Sequence, residues 1–152
     1  MKIAVIGVGN ILLMDEGIGI HVIEELKSMD LPEGVEVFDC DTDPFLVLES
    51  MDGVDKAIIV DAYKGNSEPG TIHRFEIDEL ECKEREFDLS LHNMTFMDVL
   101  RMGKGIFEIP KEIVVIGVEP AKIDAGIGLS EELRGKFQDI VRVVMDEISR
   151  RV

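Results

Sequence analysis

GVGNILLMDEGIGIHVIEEL, residues 7–26, decides how this chain is to be read. An apolar run at residues 3–6 precedes it and reads as a strand buried on both faces, while apolar side chains recur with helical period over residues 18–26. A strand, a glycine turn and a helix therefore meet here, with two neighbouring acids, Asp15 and Glu16, at the junction. In an open α/β sheet, ligands bind in the crevice at such junctions, outside the carboxyl ends of the strands.

Gly7-Val8-Gly9 invites a nucleotide reading, because it matches the start of the dinucleotide fingerprint and helix N-termini attract phosphate. The third glycine is absent, however, with Leu12 in its place, and Asp15 and Glu16 would repel a pyrophosphate. Carboxylates at a strand-to-helix junction suit a cation better.

Outward from this stretch, strands and helices alternate. Residues 35–38 read as a second short strand and 44–51 as a short helix introduced by Asp43. Residues 56–61 form a third strand, apolar through its middle, that ends in Asp61. After the turn Pro69-Gly70, residues 71–77 alternate loosely, as an edge strand does. A helix over 93–103 stops at glycine, 112–118 is another buried strand, and 130–150 is a long final helix. The expected fold class is α/β: one three-layer α/β/α domain over 1–152. Its twisted, mostly parallel five-stranded sheet carries helices on both faces and one antiparallel edge strand. Residues 77–92 show no clear period and an acidic bias, and loops of that length in compact domains are often functional.

Composition narrows the function classes. At 152 residues with 45% hydrophobic content, the chain suits one domain with a real core. With 32 acidic against 16 basic side chains the formal charge is −16, which repels a nucleic-acid backbone over most of the surface. Apolar runs are strand-length and no signal-peptide pattern precedes the first strand, so the expectation is a cytoplasmic protein with no membrane partner. Cys40 and Cys82 are far apart and form no C-x-x-C pair, which argues against a disulfide framework or a thiolate zinc site.

Asp61 ends its strand at the carboxyl edge of the sheet. If the first and third strands are neighbours at the switch point, Glu16 and Asp61 fall into one crevice, and His92 arriving on the long loop could join them. Two carboxylates and an imidazole bind a borderline divalent metal such as zinc or nickel and leave positions open for water or substrate. Each also has an ordinary explanation: Asp15 or Glu16 as a helix cap, Asp61 closing a turn, His92 orienting the next helix. His21, on a helix, and His73, on the edge strand, read as structural. Ser90 lacks a G-x-S-x-G elbow, and neither cysteine has an identified base partner, so nucleophilic catalysis finds little support. Around the crevice, Asp39, Cys40, Asp41, Thr42 and Asn93 are candidates for a substrate rim, and Cys40 is a candidate soft ligand as well.

Five segments in this order carry a family resemblance: GVGNILLMDEGIG, IIVDA at residues 58–62, PGT at 69–71, LHNM at 91–94 and IGVEP at 116–120. Together they resemble the [NiFe]-hydrogenase maturation endopeptidases over nearly the whole chain. The resemblance implies a twisted sheet between helical layers. It also implies an endopeptidase that removes a C-terminal peptide from a nickel-loaded hydrogenase large-subunit precursor, its partner. Glu16, Asp61 and His92 then stand at the metal-contacting positions and carry the catalysis. The nickel is presented by the substrate and no tightly bound cofactor is expected, although zinc or cadmium could occupy the site. Where many members have an aspartate, two glycines and a threonine, this chain has Asp39-Cys40-Asp41-Thr42, so the close backbone approach that glycines permit is in question. A non-catalytic checkpoint that binds the loaded precursor would use the same crevice. A peptidyl-tRNA hydrolase-like enzyme, with its own GxGN turn and HN pair, fits the charge less well. A metal-polarised carbonyl or metal-activated water is the favoured chemistry, with either carboxylate available as base.

Overall fold

Strict alternation along three central strands divides the interior into two cores. In the computed structural model of the protein, which describes residues 1–76, 91 and 94–150, one sheet is covered on both faces by helices. The elements run β1 (Ile3–Gly7), a short 3₁₀ turn (Met14–Gly17), α1 (Ile18–Lys27), β2 (Val35–Asp39), α2 (Pro44–Met51) and β3 (Lys56–Ala62). Then come β4 (Ile72–Glu76), α3 (Phe96–Gly103), β5 (Glu112–Val118) and α4 (Glu131–Ser149). The sheet order is β2-β1-β3-β5-β4, parallel except for β4, which runs antiparallel to β5 at the edge. This is the α/β architecture expected from the sequence, including its antiparallel edge strand.

Successive side chains of a strand point to opposite faces, so each central strand feeds both cores. Ala4, Ile6, Ala57, Ile59, Ile113 and Val115 pack with Val47, Leu48 and Met51 of α2 and Phe96, Val99 and Leu100 of α3. Val5, Ile58, Val60, Val114 and Ile116 pack with Val22, Ile23 and Leu26 of α1 and Leu133, Ile140 and Val144 of α4. Each fully buried Val, Leu or Ile contributes roughly 1.5–3 kcal/mol relative to exposure, so this interleaving is the main source of stability.

Local signals set the helix boundaries. Asp43 caps α2 by accepting from the backbone N–H groups of Phe45 and Leu46, with Pro44 as the first helical residue. The third helix begins later than the expected residue 93, because Thr95 and Asp98 form a capping box that fixes Phe96 as its first residue. The long stretch over 77–90, and with it Cys82 and Ser90, lies outside the described residues.

At the amino edge of the sheet, Lys56 is wholly buried. Its Nζ donates to Glu147 Oε2 at 2.7 Å and to the Glu147 carbonyl at 3.0 Å, and it faces Glu112 Oε1 at 3.2 Å. Arg74 Nε reaches Glu147 Oε1 at 2.6 Å. This ion cluster ties the last turn of α4 to the starts of β3 and β5 and to β4.

Candidate active site

At the opposite, carboxyl edge, the sheet order brings the loops after β1, β2 and β3 together. The chain leaving β1 stays threaded between its neighbours: Val8 N–H donates to Val60 O at 3.0 Å, Gly9 N–H to Asp41 O at 2.8 Å, and Cys40 N–H to Gly7 O at 2.9 Å. Gly9 has φ of +140°, and a Cβ built there would stand 2.0 Å from Glu16 O and 3.4 Å from Asp61 Oδ1. Only glycine fits. The same geometry shows that the Glu16 backbone and the Asp61 carboxylate both border Gly9.

Asp61 is fully buried near the end of β3, where its backbone pairs with Gly117 and its Oδ1 accepts from the Ala62 N–H at 2.7 Å. Glu16 is partly exposed in the 3₁₀ turn and makes no side-chain hydrogen bond or ion pair among the described residues. His92 and Asn93 lie outside the described residues, between Leu91, buried under the sheet, and Met94, packed against the same core. Among the described residues, no three His, Cys, Asp or Glu side chains stand together as a metal-holding group. A carboxylate at the carboxyl edge supplies oxygen donors that can grip a cation or take a proton from water.

The neighbouring acids, whose roles sequence left open, separate clearly. Asp15 is fully buried and accepts four hydrogen bonds: from the N–H groups of Ala121, Lys122 and Ser130 and from Ser130 Oγ, at 2.7–2.9 Å. Burial by itself would raise its pKa, but these bonds outweigh it and hold the carboxyl below its ordinary value. It does not cap α1, whose N-cap is Gly17 with no side-chain cap. This role went unread because its partners lie 106–115 residues away in sequence. The only sequence signal is that one of two adjacent acids had to be structural.

The loop after β2 keeps its close backbone approach despite lacking glycines. Asp41 takes φ of +50°, a conformation that aspartate tolerates better than most residues, and its N–H donates to Asp39 Oδ1 at 3.0 Å. Its carbonyl thereby still reaches Gly9. Asp39 and Asp41 are exposed and Thr42 is partly so, which suits a rim. Cys40 instead points into the core, 1% exposed, with Sγ 3.3 Å from Ser50 Oγ. Burial pushes its thiol up to about 11, and the nearby acids add to the effect. A buried, protonated thiol is neither a rim group nor a nucleophile.

Glu119, from the IGVEP segment, is a further buried acid to which sequence assigned no role. Its carboxylate accepts from Gly65 N–H at 2.9 Å and meets His73 Nε2 at 3.2 Å, so it holds the loop that follows Asp61. His73 stacks on Phe75 and sets its edge against Tyr63, a structural setting as expected. His21 is half-buried on α1 and burial lowers its pKa.

The family model of HycI, a hydrogenase maturation protease, matches residues 20–147. A putative hydrogenase maturation protease of Methanocaldococcus jannaschii is 34% identical, with 97% of each chain covered. The hydrogenase 2 maturation protease of Escherichia coli is also 34% identical, over 95% of this chain and 89% of its own. Among solved structures, the hydrogenase maturating endopeptidase HybD from E. coli superposes with a TM-score of 0.85 at 32% identity, covering 98% of this chain and 93% of that one. The [NiFe] hydrogenase maturation protease HybD from Thermococcus kodakarensis gives 0.81 at 27% identity, covering 97% and 99%.

Proposed function

Since this chain belongs to the hydrogenase maturation protease family and is a peptidase, we propose that it removes the C-terminal peptide of a [NiFe]-hydrogenase large-subunit precursor once nickel has been inserted. The observation that carries this reading is that the Asp61 carboxylate and the Glu16 backbone both border Gly9, at the carboxyl edge between neighbouring parallel strands. In this reading the two carboxylates, with His92, contact nickel that the precursor presents on its own soft ligands. Oxygen and imidazole donors without thiolates hold such a metal only moderately, so the ion belongs to the substrate and signals its readiness. The enzyme supplies orientation and a carboxylate that takes a proton from the attacking water, while the substrate's metal polarises the scissile carbonyl.

The test mixes metal-free enzyme with nickel-loaded and nickel-free precursor and reads the products by intact mass. The loaded precursor is expected to lose its C-terminal peptide and the unloaded one to stay intact, even after the enzyme is soaked in zinc. Asp61→Ala is expected to keep the fold by circular dichroism and to lower processing by about 100-fold or more. Efficient cleavage of nickel-free precursor would remove metal recognition from this account.

A further inference from the structure

Asp15 directly precedes Glu16, and among the described residues its carboxylate bonds to no group around Gly9 and Asp61. Its carboxylate instead bonds to both ends of the segment 121–130, which leads from β5 into α4. The backbone around it is sewn to the same segment: Asp15 N–H donates to Lys122 O at 3.1 Å, Met14 N–H to Gly126 O at 3.1 Å, and Gly126 N–H to Leu12 O at 2.9 Å. These bonds hold Met14 at φ of +50°, a conformation that costs a non-glycine residue about 1–3 kcal/mol and persists only where the surroundings over-determine it. From Asp15 the chain steps directly into Glu16, whose carbonyl lies against Gly9 beside Asp61. The Glu16 backbone is thus held from two sides, by Gly9 and by the anchored Asp15.

We propose that Asp15 is a positioning residue: by fastening the 3₁₀ turn to residues 121, 122 and 130, it fixes where Glu16 stands in the crevice and so makes that segment part of the peptidase machinery. The proposal rests on the reading of Glu16 as a site acid. An acid misplaced by a fraction of an ångström lowers turnover while leaving the wider docking of a protein substrate intact.

Steady-state cleavage of a nickel-loaded hydrogenase large-subunit precursor tests this with four variants. Asp15→Asn keeps size and most bonds but removes one acceptor. Its kcat is expected to fall about tenfold to a hundredfold with KM nearly unchanged. Val144→Ala, a cavity in the core against α4 near the opposite edge, controls for lost stability and is expected to keep the parental kcat. Should Asp15→Asn fail to fold, Ser130→Ala, which deletes one of the four bonds and also the cap that Ser130 Oγ gives to the Leu133 N–H of α4, is read in the same way, with Val144→Ala again as the control for lost stability. Parental kcat in Asp15→Asn, a change in KM alone, or an equal fall in Val144→Ala would overturn the positioning role. Glu16→Gln separates the two layers of the argument: parental turnover there removes Glu16 from the site, whereas a fall there with parental turnover in Asp15→Asn sinks the positioning role alone.

Discussion

Asp61 and Cys40 are both buried beside the carboxyl edge, and their surroundings give them opposite fates. Asp61 borders the crevice at Gly9, whereas the Cys40 thiol is turned into apolar packing and held protonated. In a Cys82→Ser background, folded protein at pH 8 is therefore expected to resist Ellman's reagent, reacting only on addition of denaturant. Cys40→Ser is expected to process precursor at the parental rate, with about 1 kcal/mol lost, since the new hydroxyl is buried among apolar groups but keeps Ser50 Oγ as a partner. Fast labelling of the native protein would show a thiol far more open than this one. Sequence singled out Asp61 because it ends an otherwise apolar strand at the carboxyl edge, and the structure buries it there against Gly9. Sequence placed Glu16 beside Asp61 but offered Asp15 nothing beyond a helix cap, since the partners that decide the role of Asp15 come from the far end of the chain.

Helix α1 shows why the glycines of the first motif are needed, and it is not for phosphate. A Cβ on Gly7 would lie 2.6 Å from Gly19 O, and one on Gly19 would lie 2.1 Å from Val60 O. The first turn of α1 therefore runs in backbone contact with β1 and β3. Gly19→Ala is expected to lift α1 from the sheet, cost about 1–3 kcal/mol by denaturant titration, and lower processing because Glu16 lies just ahead of the helix. A variant as stable and active as the parent would mean that this contact is slack. Strands β1, β3 and β5 were readable from apolar runs of strand length buried on both faces. The start of α3 was not, because the Thr95–Asp98 capping box falls inside a stretch whose periodicity begins earlier.

At the scale of the whole molecule, the ion cluster of Lys56, Glu147, Glu112 and Arg74 joins α4 to three strands, and no pattern in the sequence pairs its members. Burial would raise the pKa of Glu147, but bonds from Arg74 and Lys56 prevail and lower it. A carboxyl depressed in the folded state stabilises the fold above its unfolded pKa of about 4.3 and loses that contribution as pH falls through the folded value. Glu147→Gln is expected to cost about 3 kcal/mol near neutrality, since it leaves buried cations short of a partner. Unfolding midpoints between pH 2 and 7 should then fall less steeply with acid in the variant than in the parent. Identical acid profiles would show that Glu147 is not among the groups that set the acid limit.

That cluster also fixes a direction in space. It holds the end of α4 at Lys56, through the carbonyl of Arg150 at 3.4 Å, and Lys56 lies five strand positions from Asp61, roughly 16 Å along β3. A tether grown from the last turn of α4 therefore leaves the molecule on the side away from the crevice. Immobilised on a sensor through that end, the protein would present the carboxyl edge of its sheet outward, open to a partner as large as a whole protein domain.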